Sequence, residues 1–249
     1  MKRRNFLASA AATLLGEPAL GPAVAIDQCL GRHPTPLPAR IVKADVAALH
    51  RLTEKLRALG RAGHAGMPSV LRELTARHDL YEALPADDWV HQLLLSQLAE
   101  LHTLAGWCHT DAMLADTARY HYSRALRLAQ EAGDVSAMVS AATHAAHGYT
   151  FHQDAPNDAL KLYQLAEMKL IDLPAGGAAQ QVQLHTWIAQ CLALTGQGRA
   201  AGERLRRAAA LPPIPDAFDA ADIEYVRSRT MLALGGVPSM VRRTWLAVR

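Results

Sequence analysis

Twelve histidines are the side chains of this sequence whose type and spacing could do chemistry. His144 and His147 are three residues apart, with His152 following, while His102 and His109 are seven apart on one helical face. Imidazole nitrogens bind zinc, but a zinc site needs three or four converging ligands. No HExxH or paired-carboxylate motif accompanies these histidines. The sequence therefore predicts solvated or groove-lining histidines and no bound metal.

Other signatures of catalysis are missing from the sequence as well. There is no Ser-His-Asp arrangement, no glycine-rich phosphate loop and no nucleotide fingerprint. Gly196, Gly198 and Gly202 lack the Lys-Ser/Thr pair and the preceding strand of a phosphate loop, so they predict a turn between repeats. The three cysteines are far apart and show no CxxC spacing, which indicates buried thiols. We expect a protein that is not an enzyme and carries no cofactor.

Composition narrows the class of protein. A chain of 249 residues, 50% hydrophobic and 20% charged, can bury a sizeable core in one large domain or two smaller ones. Its 26 Lys and Arg against 23 Asp and Glu leave a net charge of only +3, spread along most of the chain. With aromatic residues at 5%, few stacking platforms are available. These features argue against direct binding of nucleic acid.

From Lys43 onward, apolar residues recur at spacings of three and four, which is the helical period. In the first such stretch one apolar stripe is formed by Val46, Leu49, Leu52, Leu56 and Leu59. No alternating strand pattern occurs, so the sequence predicts an all-α fold. After a helix that ends near Leu84 and another that begins near Asp87, the predicted helices are Leu114 to Ala132, Val135 to Phe151, Ala159 to Ile171, Ala178 to Leu194, Ala200 to Leu211 and Asp219 to Leu234.

An internal repeat runs through these helices. A small, a large and a small residue recur at the same spacing, as Ala118, Tyr122, Ala125; Ala159, Tyr163, Ala166; Ala201, Leu205, Ala208; and Val241, Trp245, Val248. The first members follow one another at intervals of 41, 42 and 40 residues. A near-constant period of this length indicates stacked helical hairpins rather than a globular bundle.

This pattern resembles the tetratricopeptide repeat, whose unit has about 34 residues. Gly106, twelve residues before Ala118, stands where the family has a small residue, and Ala189 fills that place in the third unit; His147 and Arg229 fill it in the second and fourth. The match covers Leu98 to Arg249. The resemblance implies a right-handed α-solenoid of tetratricopeptide-like helical hairpins over residues 43–249, a scaffold that binds partners and seldom catalyses.

The segment from Leu98 to Asp134 resembles part of a more specific group, the bacterial regulators with an N-terminal XRE-type helix-turn-helix and a C-terminal helical-repeat region. The resemblance rests on Ala105-Gly106-Trp107 in the first helix and on "ALRLAQEAGD" at 125–134. It implies the sensor half of a transcriptional regulator. The helix-turn-helix itself has no counterpart in this sequence, so DNA binding is not carried over.

Residues 1–42 are interpreted as a signal-like or junction segment followed by a proline-rich linker. Arg3, Arg4, Phe6 and Leu7 form the stretch "RRNFL", which resembles the core of twin-arginine export signals. The regulators just described carry a similar Arg-Arg-x-x-Leu stretch as a junction after their DNA-binding domain. We favour the junction and a cytoplasmic protein, with export through the twin-arginine pathway as the alternative. The apolar run is too short for a transmembrane anchor.

Within the expected solenoid, the family pattern places the exposed positions of each first helix along a concave groove. These candidate ligand-binding residues are Thr103, Trp107, Thr110, Asp111, His144, Phe151, His152, Gln183, Thr186 and Gln190. Their amide, hydroxyl, imidazole and aromatic groups suit an extended peptide, although a solvated inner face is an equal alternative. We therefore expect a regulatory binding or sensor module for a peptide, protein or small signal. Apolar residues near Arg249 also suggest packing on a second copy in a homodimer.

Overall fold

The computed structural model describes residues 37–61, 67–151, 154–171, 178–212 and 217–235, with backbone alone for residues 151, 217–220 and 222. This part of the chain contains helices and no strand, which confirms the all-α class. The helices are α1 (Lys43–Arg61), α2 (Met67–Asp79), a 3-10 turn (Leu80–Ala83), α3 (Asp88–Asp111), α4 (Ala115–Ala132), α5 (Val135–Phe151), α6 (Pro156–Leu170), α7 (Ala178–Leu194), α8 (Gly198–Ala209) and α9 (Ala217–Ala233). None of these described helices is long and apolar enough to cross a membrane.

Local chemistry sets the helix ends. The chain leaves α4 at Gly133, whose φ of 66° is in the left-handed region that glycine enters without strain. The next residue, Asp134, caps α5, because its carboxylate accepts a hydrogen bond of 2.9 Å from the amide of Ala137. Pro156 opens α6, where its missing amide proton costs nothing. The turn residues recognised in the sequence thus mark real helix boundaries.

The helices after α2 contact one another in the order of the chain. α3 packs along α4, α5 along α6 and α7 along α8, and we call these the first, second and third pairs. The second helices of the first two pairs also contact the first helix of the following pair, so α4 meets α5 and α6 meets α7. The first helices touch as well, α3 with α5, α5 with α7 and α7 with α9. Every pair is therefore covered by its neighbour.

The N-terminal elements pack onto α3. Both α1 and α2 contact α3, and the 3-10 turn continues α2 over it. Residues 37–42, which the sequence assigns to the linker, run beside the start of α3: the amide of Ile41 donates to the carbonyl of Pro85 at 2.9 Å, and Arg40 pairs with Asp87. Ile41 is buried in the same apolar core as Leu56 of α1. The last residues of the linker are thus part of the helical body.

Candidate functional site: a buried histidine cluster

Three histidines of the first pair are buried together beneath the end of α2. His102 and His109 are on α3 and His121 is on α4, and their exposed fractions are 0%, 2% and 2%. The ring centroids of His102 and His121 are 5.2 Å apart, and those of His109 and His121 are 4.9 Å apart. Because burying an imidazole without partners is costly, these polar atoms must be satisfied by one another and by their neighbours.

An acidic corner where α2 enters the 3-10 turn closes the cluster. The carboxylate of Asp79, the last residue of α2, accepts a hydrogen bond of 3.0 Å from Nε2 of His102. Arg124 of α4 approaches the same oxygen at 3.4 Å and also pairs with Glu82 of the 3-10 turn. Burial alone would raise the pKa of Asp79, but the hydrogen bond from His102 and the charge of Arg124 bring it below the usual value. Asp79 is therefore an anion that ties α2 to α3 and α4.

The hydrogen bonds assign the protons in this cluster. Nδ1 of His102 and Nδ1 of His121 are 3.0 Å apart, so one proton lies between them. Because the carboxylate of Asp79 takes the proton on Nε2 of His102, we assign the shared proton to Nδ1 of His121, with Nδ1 of His102 as its acceptor. His109 donates from Nδ1 to the carbonyl of Ala105 at 2.7 Å. The Nε2 atoms of His109 and His121 are therefore both unprotonated acceptors.

The surroundings keep two of these imidazoles neutral. Burial, with the neighbouring His102 and His109 adding to it and Asp79 opposing it, lowers the pKa of His121 to about 3. Burial also lowers the pKa of His109, with Arg72 adding to the effect and the bond to Ala105 opposing it. Both side chains are therefore neutral at pH 7. Among the described residues no three His, Cys, Asp or Glu side chains converge as metal ligands.

The third pair repeats the arrangement in part. His185 stands sixteen residues before Ala201, as His102 stands sixteen before Ala118, and Arg204 occupies the place of His121. Nη1 of Arg204 lies 3.2 Å from Nδ1 of His185, and its Nη2 donates to Glu167 of the preceding helix at 3.0 Å. An acid from the preceding element, a histidine and a second basic side chain therefore meet in both pairs. In the second pair Thr143 and Leu162 occupy the two basic positions.

Four of the predicted groove residues are buried instead of exposed. Thr103, Thr110, Thr186 and Gln190 have exposed fractions of 4%, 5%, 0% and 1%, so the expectation that they line an open groove is wrong. The hydroxyls of Thr103 and Thr186 donate to carbonyls one turn back in their own helices. Thr110 is covered by α5, because a Cβ on Gly148 would be 3.3 Å from its side chain. First helices that pack this closely leave no room for a groove at these positions.

Four other candidates keep accessible surface. Asp111 and His144 are exposed, and Trp107 and Gln183 are half-buried. Trp107 is partly covered by the end of α1, since a Cβ on Gly60 would be 3.4 Å from its ring. We call Trp107, Asp111, His144 and Gln183 the four-residue surface.

The remaining predicted residues lie outside the described part of the structure. These are the side chain of Phe151, all of His152, and the motif residues Arg3, Arg4, Phe6 and Leu7. His147, which the sequence grouped with His144, turns edge-on to the ring of Trp187 at 5.7 Å between centroids. The histidines of α5 are therefore not part of the buried cluster.

The sequence revealed only part of the cluster. His102 and His109 were recognised on one face of a helix, but Asp79, His121 and Arg124 come from two other elements. One signal could have found the arrangement: His102 and His185 occupy the same repeat position, followed by His121 and Arg204 at another. A basic side chain recurring at a buried position needs a partner.

Comparison with known proteins finds no relative for this chain. No protein-family model matches it, and no curated protein or solved structure is similar enough to count as a match. The resemblance to tetratricopeptide repeats and to XRE-type regulators stays a prediction from the sequence.

Proposed function

We propose that this chain is a non-enzymatic binding module, a right-handed solenoid of tetratricopeptide-like hairpins that serves as the sensor half of a transcriptional regulator. The observation that carries this proposal is the order of contacts, in which α3, α5, α7 and α9 touch in sequence while α3, α5 and α7 are each backed by their own second helix. Such stacking presents the first helices side by side as one extended surface. Its recognition target is an extended peptide or a protein segment.

The four-residue surface provides the groups that recognition requires. Asp111 follows Thr110 on α3, and His144 lies one turn before Gly148 on α5, so both flank the contact between Thr110 and Gly148. Trp107 is one turn before Asp111 and offers a half-buried indole. A carboxylate, an imidazole, an amide and an aromatic ring can hydrogen-bond a peptide backbone and hold one apolar side chain.

Site-specific photocrosslinking in the native host tests this surface. A benzophenone amino acid placed at Asp111 or His144 is compared with the same amino acid at Arg127 or Lys161, which are exposed on the second helices α4 and α6. We expect a discrete crosslinked species from the first two positions and none from the other two. Equal crosslinking at all four positions, or none at any, would contradict the proposal.

The regulatory role needs a separate test. In a deletion strain, wild-type protein should restore the transcript profile, and the variant Asp111→Ala/His144→Ala/Gln183→Ala should not. The control variant Arg127→Ala/Lys161→Ala, which changes exposed residues of second helices, should behave as wild type. If both variants restore the transcript profile, the four-residue surface is not needed for the function. If the deletion strain has the same transcript profile as the wild type, the protein does not regulate transcription.

Export through the twin-arginine pathway is the alternative for the location of the protein. The motif residues Arg3 and Arg4 carry it. Expression with a C-terminal tag in the native host, followed by intact-mass analysis of each cell fraction, decides between a cytoplasmic and an exported protein. We expect full-length cytoplasmic protein; a shortened product outside the cytoplasm that disappears in Arg3→Lys/Arg4→Lys would establish export instead.

A further inference from the structure

The corner formed by α2 and the 3-10 turn is held to the first pair by buried polar groups as well as by apolar packing. Leu71 and Leu74 of α2 belong to the apolar core that includes Leu98 of α3. Around them, Asp79 accepts from His102, while Arg124 bridges to the same corner through Asp79 and Glu82. The corner thus depends on charges whose state changes with pH.

We propose that this corner is an acid-sensitive latch: at neutral pH Asp79 and Glu82 hold it on His102 and Arg124, and acidification releases it and uncovers the adjoining face of α3 and α4. The position of the corner favours local release. Its contacts within the described part of the chain are chiefly with α3, whereas α3 to α9 are held in consecutive pairs. The corner can therefore leave while the pairs stay folded.

Burial is the main reason why protonation of His121 is unfavourable while the latch is closed, and the groups that face the cluster modify it. From α2 come Arg72, Arg77, His78 and Asp79; from the 3-10 turn Tyr81 and Glu82; from α3 His102 and His109; and from α4 Tyr120, His121 and Arg124. A second proton on His121 would create an imidazolium beside His102 and His109. Asp79 and Glu82 are already engaged by Arg124, which limits the compensation they offer.

Opening the latch hydrates His78, His109 and His121, which then titrate near the ordinary imidazole pKa of about 6.5. His121 takes up a proton on opening below that pH, because its pKa in the closed state is about 3. Burial also lowers the pKa of His78 and His109, so both add to the proton uptake. The opening equilibrium therefore shifts at mildly acidic pH although the closed cluster itself titrates much lower.

Hydrogen exchange followed by mass spectrometry tests the latch on the full chain. Protection factors, which correct for the effect of pH on intrinsic exchange, are compared at pH 7.0 and 5.5 for peptides covering residues 67–83 and for peptides from α5 to α8. From His121 alone we expect about an eightfold loss of protection in 67–83 between these pH values, and a larger loss with His78 and His109 contributing. Equal protection of 67–83 at both pH values, or protection of 67–83 at pH 5.5 as high as that of the best-protected amides of α5 to α8, would overturn the proposal.

Two variants separate this latch from general acid sensitivity. His121→Asn keeps a donor toward His102 but cannot be protonated, so it should reduce the loss of protection in 67–83 by about eightfold. His50→Asn, at an exposed position of α1, should leave the wild-type loss unchanged. If His121→Asn does not fold, His109→Asn makes the same kind of test with His109. An unaltered pH response in the folded variant would also overturn the proposal.

Discussion

Gly106 of α3 lies directly against the ring of Tyr122 of α4, and no space for a side chain remains between them. A Cβ on residue 106 would be 2.6 Å from Cε1 of that ring. Tyr122 is buried, with Ala118 and Ala125 buried on the same face of α4. Because protein interiors are packed at the density of organic crystals, there is no free volume into which the ring could move. Glycine at this position is what lets the first pair pack so closely.

Replacing this glycine should therefore destabilise the fold. We expect Gly106→Ala to lower the free energy of unfolding by about 1–3 kcal/mol, the usual cost of overpacking a core. The matched control is Gly202→Ala in α8, where a Cβ would meet nothing within 4 Å. There alanine should raise stability by about 0.5–1 kcal/mol, since glycine is a poor helix former. Urea denaturation measures both; equal stability of the two variants would contradict the packing argument.

The cluster of the third pair predicts a change in the titration of one histidine. Burial lowers the pKa of His185 and Arg204 lowers it further, while Glu167 acts in the opposite direction. In Arg204→Leu the repelling cation is removed and Glu167 remains 3.5 Å from Nδ1 of His185. We expect the pKa of His185 to rise, as followed by NMR of the imidazole.

The control for this titration is Arg206→Leu. Arg206 pairs with exposed Glu203 on the outer side of α8. We expect the pKa of His185 in Arg206→Leu to equal that in the wild type. A pKa of His185 that does not move in Arg204→Leu would show that Arg204 does not act on the imidazole.

Much of the fold could be predicted because the sequence signals for a helix lie within the helix itself and in the residues that flank it. The predicted bounds of α5 and α7 agree with the structure at both ends, and those of the other helices between α4 and α9 agree within about three residues. Turn residues such as Gly133 and Pro156 mark the ends through backbone conformation alone. The end of α2 is different, because the helix tightens there into a 3-10 turn that begins at Leu80. Apolar periodicity cannot distinguish these two helix types.

The candidate site could not be predicted to the same degree, because it is made across elements. Asp79, His102 and His121 are brought together by the packing of α2 and α4 on α3, which no local pattern encodes. The exposure of Thr110 was mispredicted for the same reason. The family pattern assigns that position to an open groove, but here Gly148 lets α5 cover it. Distances between neighbouring first helices decide which positions face solvent.

A buried amide in α7 predicts a stabilising substitution. Neither Nε2 nor Oε1 of Gln190 has a hydrogen-bond partner, and the side chain is 1% exposed. Methionine has a similar shape and no polar group to satisfy. We expect Gln190→Met to raise the free energy of unfolding by about 1–2 kcal/mol, measured by thermal and urea unfolding. Gln183→Met, at a half-buried position of the same helix, should change it little; a loss of stability in Gln190→Met would reveal a partner for the amide.

Global stability should fall with decreasing pH. His78, His109, His121 and His185 all have a pKa below the ordinary value in the folded chain, and for each the largest cause is burial. Below pH 6.5 the unfolded chain therefore binds more protons than the folded chain, so acid favours unfolding.

The size of this effect can be stated for one histidine. His121, with a folded pKa of about 3, should contribute a loss of about 2 kcal/mol between pH 7 and pH 5. Urea titrations at pH 7, 6 and 5 measure the total. Stability that is constant or higher at pH 5 would mean that these imidazoles are not neutral in the folded protein.

The two buried cysteines should resist alkylation in the folded protein. Burial raises the pKa of Cys108 to about 12, with Asp111 adding to it, and raises that of Cys191 to about 11. Only the thiolate reacts, and at pH 8 a thiol of pKa about 11 is ionised roughly a hundredfold less than an ordinary one. In a Cys29→Ser background, we expect iodoacetamide to modify Cys108 and Cys191 at the rate of unfolding, as followed by intact mass. Modification at the rate of a free thiol, with the fold intact, would place these side chains at the surface.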